Sequence, residues 1–106
     1  MKGSLSPVEY LRTHSAETAE AFQALRKAVM ASGPLDEMTC ELIALGALVT
    51  AESEGSFKTH ARRLKREGVP PAAMRQAVLV TFGASTTFSQ VGAGLRWVDD
   101  VVAETS

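Results

Sequence analysis

From Pro7 to Val102 the apolar residues recur every three or four positions, and no stretch alternates apolar and polar residues with the period of two that a half-buried strand requires. That periodicity restricts the chain to helices. The expected fold is all-α, a bundle of about five to six helices separated by Gly, Pro and Ser.

The breaks can be placed by their chemistry. Ser6, Pro7 and Glu9 open a short helix over about 7–13, since Ser can cap free amides and Pro has no amide hydrogen to lose at the first helical position. Phe22, Leu25 and Val29, with alanines at 21, 24 and 28, give a longer helix one apolar face, and Gly33-Pro34 stops it. Asp36 is the next capping candidate. Behind it Met38, Leu42, Leu45, Leu48 and Val49 make a helix apolar nearly all round, which is expected to be central. A third helix starts near Ser53 to Ser56 and ends where Gly68 can turn left-handed and Val69 can fold back. After Pro70-Pro71 a fourth carries Met74, Ala77, Val78 and Phe82, broken at 83–86. The last places Phe88, Val91, Leu95, Val98 and Val102 on one seam, with Trp97 off it, either at a core edge or at a subunit contact. Gly92 and Gly94 in that helix cost about 1 kcal/mol each relative to Ala, so both are expected at close backbone approaches, including one to a second subunit.

Length and charge narrow the function classes. With 106 residues there is room for one domain, expected to span 1–106, and 11 basic against 12 acidic residues leave no net excess with which to track a phosphate backbone. Nucleic acid is not an expected partner. Glu9, Arg12, Glu17, Glu20 and Arg26 interrupt the first thirty residues, so a signal peptide is not expected, and the cytoplasm is the default location. The longest apolar run, residues 42–49, is far short of the roughly 20 residues that span a bilayer, so no membrane partner is expected. A single cysteine, Cys40, excludes an internal disulfide and a cysteine-rich zinc site. Its ordinary reading is a small buried apolar residue. His14 and His60 lie too far apart for a local metal motif, and neither metal nor cofactor is expected.

What remains is "SEGSFKTH", residues 53–60, in which two serines three apart are followed by a histidine four further on. Ser53 and Ser56 can cap a helix start, and that is the plainer reading of each. Ser56, His60 and Arg63 share a helix face, and Glu41 is the one charged residue beyond the first turn of the preceding helix. Packed antiparallel, the two helices would set a carboxylate beside an imidazole, the arrangement that fixes a ring tautomer and prepares a general acid or base. The plainer readings are a surface pair of Arg63 with Glu67, and a solvated face for Lys58, Arg62, Lys65 and Arg66.

From "PLDEMTCELIALGALVTA" through "THARRLKREGVPPAAMRQAVLV" the chain resembles the carboxymuconolactone decarboxylase superfamily, which includes the alkylhydroperoxidase (AhpD-like) proteins. The AhpD-like branch has a helix-borne glutamate, a Cys-x-x-Cys pair at the next helix start and a histidine four residues later. Glu41, Ser53, Ser56 and His60 occupy those positions here. The resemblance implies an all-helical fold, homo-oligomers such as trimers or hexamers, and a small-molecule substrate. It also implies a catalytic set of His60, Glu41, Ser56 and Ser53, with Arg63 as a substrate-carboxylate anchor. Serine has neither an accessible thiolate nor a disulfide state, so peroxidase (peroxiredoxin) turnover is not expected. The decarboxylase half of the family, which needs a proton donor but no redox pair, is the expected activity, and a catalytically silent helical oligomer is the alternative.

Overall fold

The structure, a computed structural model, describes residues 5–105. They form six helices in the order α1 (Pro7–His14), α2 (Ala16–Met30), α3 (Glu37–Thr50), α4 (Glu54–Arg66), α5 (Pro71–Leu79) and α6 (Phe88–Ala103), with no strand among the described residues. The fold is all-α. Two compact units divide the chain, Met1–Glu37 and Met38–Ser106.

In the first unit α1 opens with a full capping box: the Ser6 hydroxyl accepts from the Glu9 amide, and the Glu9 carboxylate accepts from the Ser6 amide. Ser15 then ends α1 and caps α2, so the two helices meet without a linker and pack on each other. Arg12 of α1 donates to Gln23 of α2 at 2.8 Å. The apolar face expected on α2 stays largely open: Phe22, Leu25 and Val29 are all exposed, and only Ala19 is buried.

The second unit holds the larger core, in which Leu45, Phe57, Leu64, Met74, Val78 and Val98 are fully buried. Helices α4 and α5 pack along α6, and α3 reaches both α5 and α6 through glycines. A Cβ on Gly46 would lie 3.2 Å from the Ala77 carbonyl oxygen, and one on Gly94 would lie 2.9 Å from methyls of both Val49 and Val78. Gly94 therefore serves a close approach within the chain, whereas Gly92 faces open space and meets no such neighbour. At the end of α4 Gly68 takes φ +86°, and the Val69 amide returns to the Leu64 carbonyl at 3.0 Å, which seats Val69 on the core.

Four expectations change. Helix α3 is not buried all round, since Ile43 (58% exposed) and Met38 look outward while Glu41, Leu45, Gly46 and Val49 look inward. Helix α5 stops at Leu79, because the Thr81 hydroxyl takes the Val78 carbonyl at 2.6 Å and Gly83 turns left-handed. Phe82 thus lies outside the helix, exposed, edge-on to Phe88 at 5.3 Å. The buried seam of α6 runs through Val91, Gly94, Val98 and Val101; Phe88 is 80% exposed, and Leu95 and Val102 flank the core. Finally, the basic residues of α4 are not a free solvated face. Lys65 Nζ donates to the carbonyls of Val101, Val102 and Glu104, Arg62 makes a two-pronged contact with the Glu104 carboxylate, and Lys58 pairs with Glu54 and Asp100. The unsatisfied carbonyls and negative end of α6 attract these cations. Among the described residues, Arg66 alone of the four stays exposed without such a contact.

Candidate functional site

The connection from α3 to α4 is three residues long and reverses the chain sharply, because the Glu52 amide returns to Val49 and the Ser53 amide to Leu48, both at 3.0 Å. This is the hydrogen-bond pattern that closes helices at glycine, yet Glu52 occupies the left-handed position with φ 56°. Its carboxylate is tied down by the Gln90 amide at 2.9 Å, and Gln90 itself belongs to the capping box of α6. No sequence signal marks this turn. It sends α4 back along α3 and brings Glu41 opposite His60.

At 100° per residue, α4 divides into three faces. Phe57, Ala61 and Leu64 enter the core, Glu54, Lys58, Arg62 and Lys65 lie on the flank toward α6, and Ser56, His60 and Arg63 lie on the flank toward α3. On that last flank three side chains meet. His60 Nδ1 is 3.0 Å from Glu41 Oε1, Arg63 Nη2 donates to Glu41 Oε2 at 2.6 Å, and the same Nη2 lies 3.1 Å from His60 Nδ1. Glu41 is the buried member, its side chain only 5% exposed, against 23% for His60 and 44% for Arg63. Arg63 thus reaches across to α3 instead of forming the expected surface pair with Glu67.

Burial alone would push the Glu41 carboxyl up, but the hydrogen bonds from His60 and Arg63, with the guanidinium charge, outweigh it and hold Glu41 below the ordinary carboxylate range. The sign for stability follows. The unfolded chain takes up this proton more readily than the native one, so the contribution is complete above the unfolded value and is lost as the pH falls through the folded one. Glu41→Gln is expected to flatten the acid limb of the stability curve, measured by urea unfolding from neutral pH downward. An unchanged limb would show that Glu41 contributes nothing through its charge.

The two serines flank this cluster without joining it through a hydrogen bond among the described residues. Ser53 is the N-cap of α4 by position, but its side chain makes no capping bond, and Ser56 is half-buried one turn before His60. The plain capping explanation therefore fails for Ser53. Cys40, adjacent to Glu41 in sequence, is half-buried rather than fully inside the core. Trp97 sits at the core edge, stacked at a tilt on Phe57 with centroids 5.4 Å apart. It lines a cleft of about 350 Å³ together with Val49, Glu52, Glu54 and Gln90, on the α6 flank of α4 and away from His60.

The described residues thus form an all-helical fold in which a buried carboxylate, an imidazole and a guanidinium are in mutual contact. A family model, the carboxymuconolactone decarboxylase family, matches residues 16–100, and the chain belongs to that family. Comparison with curated proteins and with solved structures finds no match.

Proposed function

We propose that the chain, acting as one domain over 1–106, catalyses cofactor-free proton transfer in the decarboxylation of a small carboxylated lactone. The supporting observation is the contact of His60 with a nearly buried Glu41 that also receives Arg63. In this reading the bond to the carboxyl carbon breaks, CO2 leaves, and the electron pair remains as a conjugated enolate that His60 protonates. Glu41 orients the ring. Arg63, nearly half of whose side chain is exposed, offers its remaining N–H groups to a substrate carboxylate. Ser53 and Ser56 supply hydroxyls at the edge of the same face. No helix of the described residues is long and apolar enough to cross a membrane. Met38, Ile43, Leu79 and Phe88 leave apolar surface that suits a cytoplasmic homo-oligomer, a trimer or hexamer.

The second reading, a catalytically silent ligand-binding oligomer, is favoured by one observation: the 350 Å³ cleft is not lined by His60. Assaying CO2 release from carboxylated γ-lactones separates the two. The proton-transfer reading expects turnover that His60→Gln lowers by about 10²–10⁴ without loss of fold. Turnover that survives His60→Gln, or none across the lactone panel, rejects it in favour of binding. Peroxide reduction with a dithiol reductant is expected to be absent, because neither Ser53 nor Ser56 can form a thiolate.

A further inference from the structure

Three contacts among three side chains cannot all be hydrogen bonds at once. Arg63 Nη2 is always a donor, and Glu41, held ionised, is only an acceptor; His60 Nδ1 lies within 3.1 Å of both and carries either a hydrogen or a lone pair. With a hydrogen on Nδ1, the ring donates to Glu41 Oε1 and its approach to Arg63 is a contact between two donors. With a lone pair there, Arg63 donates to the ring, and Oε1 faces that lone pair with nothing to accept.

Burial decides between them. Oε1 belongs to a side chain 5% exposed, and His60 Nδ1 stands 3.0 Å from it, close enough to donate to it. A buried carboxylate oxygen left without a donor is costly, and hydrogen bonds to charged groups are the strong ones. Arg63 loses nothing comparable, since Nη2 already donates to Oε2 at 2.6 Å and nearly half of its side chain meets water. The approach of two donors is relieved by a small tilt of the half-exposed guanidinium plane about its bond to Oε2. The lone-pair clash has no such relief inside the protein.

We infer that Arg63 is a positioning residue: by pinning Glu41 Oε2 it aims Oε1 at the ring, fixes the His60 proton on Nδ1, and leaves Nε2 as the atom that exchanges protons with a ligand. The assignment of a ligand to Nε2 rests on the proton-transfer reading, whereas the tautomer does not. In that reaction Nε2 takes a proton from the bulk solvent's acid pool to give the imidazolium, with Nδ1–H still bonded to Glu41. It then delivers that proton to the enolate carbon, and the ring returns to its neutral Nδ1–H form. One proton is consumed for each CO2 released, and Glu41 and Arg63 keep their charges throughout.

The test reads the tautomer directly, by long-range ¹H–¹⁵N correlation of the imidazole rings in full-length protein, with His14→Gln present to leave one ring. Spectra are taken on the alkaline side of the His60 titration. The expected result is a pyrrole-type Nδ1 and a pyridine-type Nε2, with the Nδ1–H form favoured by about tenfold, the ratio a single hydrogen bond to a charged group supports. Arg63→Met is expected to move the population toward Nε2–H, the form a free histidine side chain prefers in water, and Arg63→Lys to restore part of the preference. Far-UV circular dichroism of each variant checks that the fold is retained. A ring protonated on Nε2 in the parent overturns the inference, as does a ratio that Arg63→Met leaves unchanged in a folded protein. Because no substrate enters the measurement, failure of the lactone assay leaves the tautomer result intact, and the reverse holds as well.

Discussion

Replacing Phe57 by alanine is expected to lower the unfolding free energy by about 3–5 kcal/mol, the range for removing a buried phenyl ring from a packed core. Phe57 is 0% exposed, is the largest of the fully buried side chains, and lies between the α4 backbone and Trp97 of α6. Its removal takes apolar surface out of contact and leaves a hole that its neighbours can fill only by moving. Folded domains are stable by about 5–15 kcal/mol, so a large fraction of the total is at stake. Urea unfolding followed by far-UV circular dichroism measures it, and the fluorescence of Trp97, the single tryptophan, reports the same region. A loss below about 1 kcal/mol would mean that α4 does not pack on α6 through this ring.

The second large effect is at Gly94. Gly94→Val is expected to cost about 3 kcal/mol, at the upper end of what overpacking a tight core costs. The first added carbon would already stand 2.9 Å from Val49 Cγ2 and Val78 Cγ1, and both neighbours are β-branched side chains with little room to rotate. Two further methyl groups compound the overlap. Gly92→Ala, two residues earlier in the same helix, is expected to have the opposite sign and to stabilise by about 0.5–1 kcal/mol, because its added carbon meets nothing within 4 Å and a helical glycine is entropically unfavourable. Thermal melts of the two variants side by side make the comparison internal. Equal and small effects would show that the crossing of α3, α5 and α6 is looser than the contacts at Gly94 indicate.

This contrast also marks where sequence ceases to be informative. Gly92 and Gly94 carry the same cost in a helix and invite the same explanation, and only the packing of α3 and α5 distinguishes them. The seam of α6 shows a similar limit. A pattern of apolar residues places Phe88, Leu95 and Val102 on it, but the true seam uses Gly94 and Val101, because a glycine contributes close approach rather than apolar area and a hydrophobicity pattern does not register it. The spacing of Phe82 fits a continuation of α5, but the Thr81 hydroxyl, by capturing the Val78 carbonyl, ends that helix earlier. The basic stretch of α4 looks solvated in one dimension, since the carbonyls it binds belong to the far end of α6, 36 to 39 residues away.

At the candidate site the division is similar. Glu41, His60 and Arg63 could be singled out in advance: a charge inside an apolar helix is expensive unless partnered, and a histidine and an arginine three residues apart share one face of the next helix. Their partners could not be assigned in the same way. Arg63 had a nearer acceptor in Glu67 and bonds Glu41 instead, because Glu41 is buried and must be satisfied, whereas Glu67 is exposed to water. Glu52 gave no warning of its role, since a glutamate at a left-handed helix end is unfavourable by itself and is held there by a hydrogen bond from Gln90.

By itself, then, the order of residues determined an all-helical chain, the start and stop of most helices, and the polar residues, Glu41, His60 and Arg63, that come into contact. These depend on interactions within a few residues, which local spacing and capping chemistry encode. The tertiary structure alone decided which face of each helix is buried, which glycine is a contact, and which acceptor each cation takes. Those outcomes are set by competition among groups distant in the chain, and the winner is the polar atom or the volume that burial leaves no alternative for.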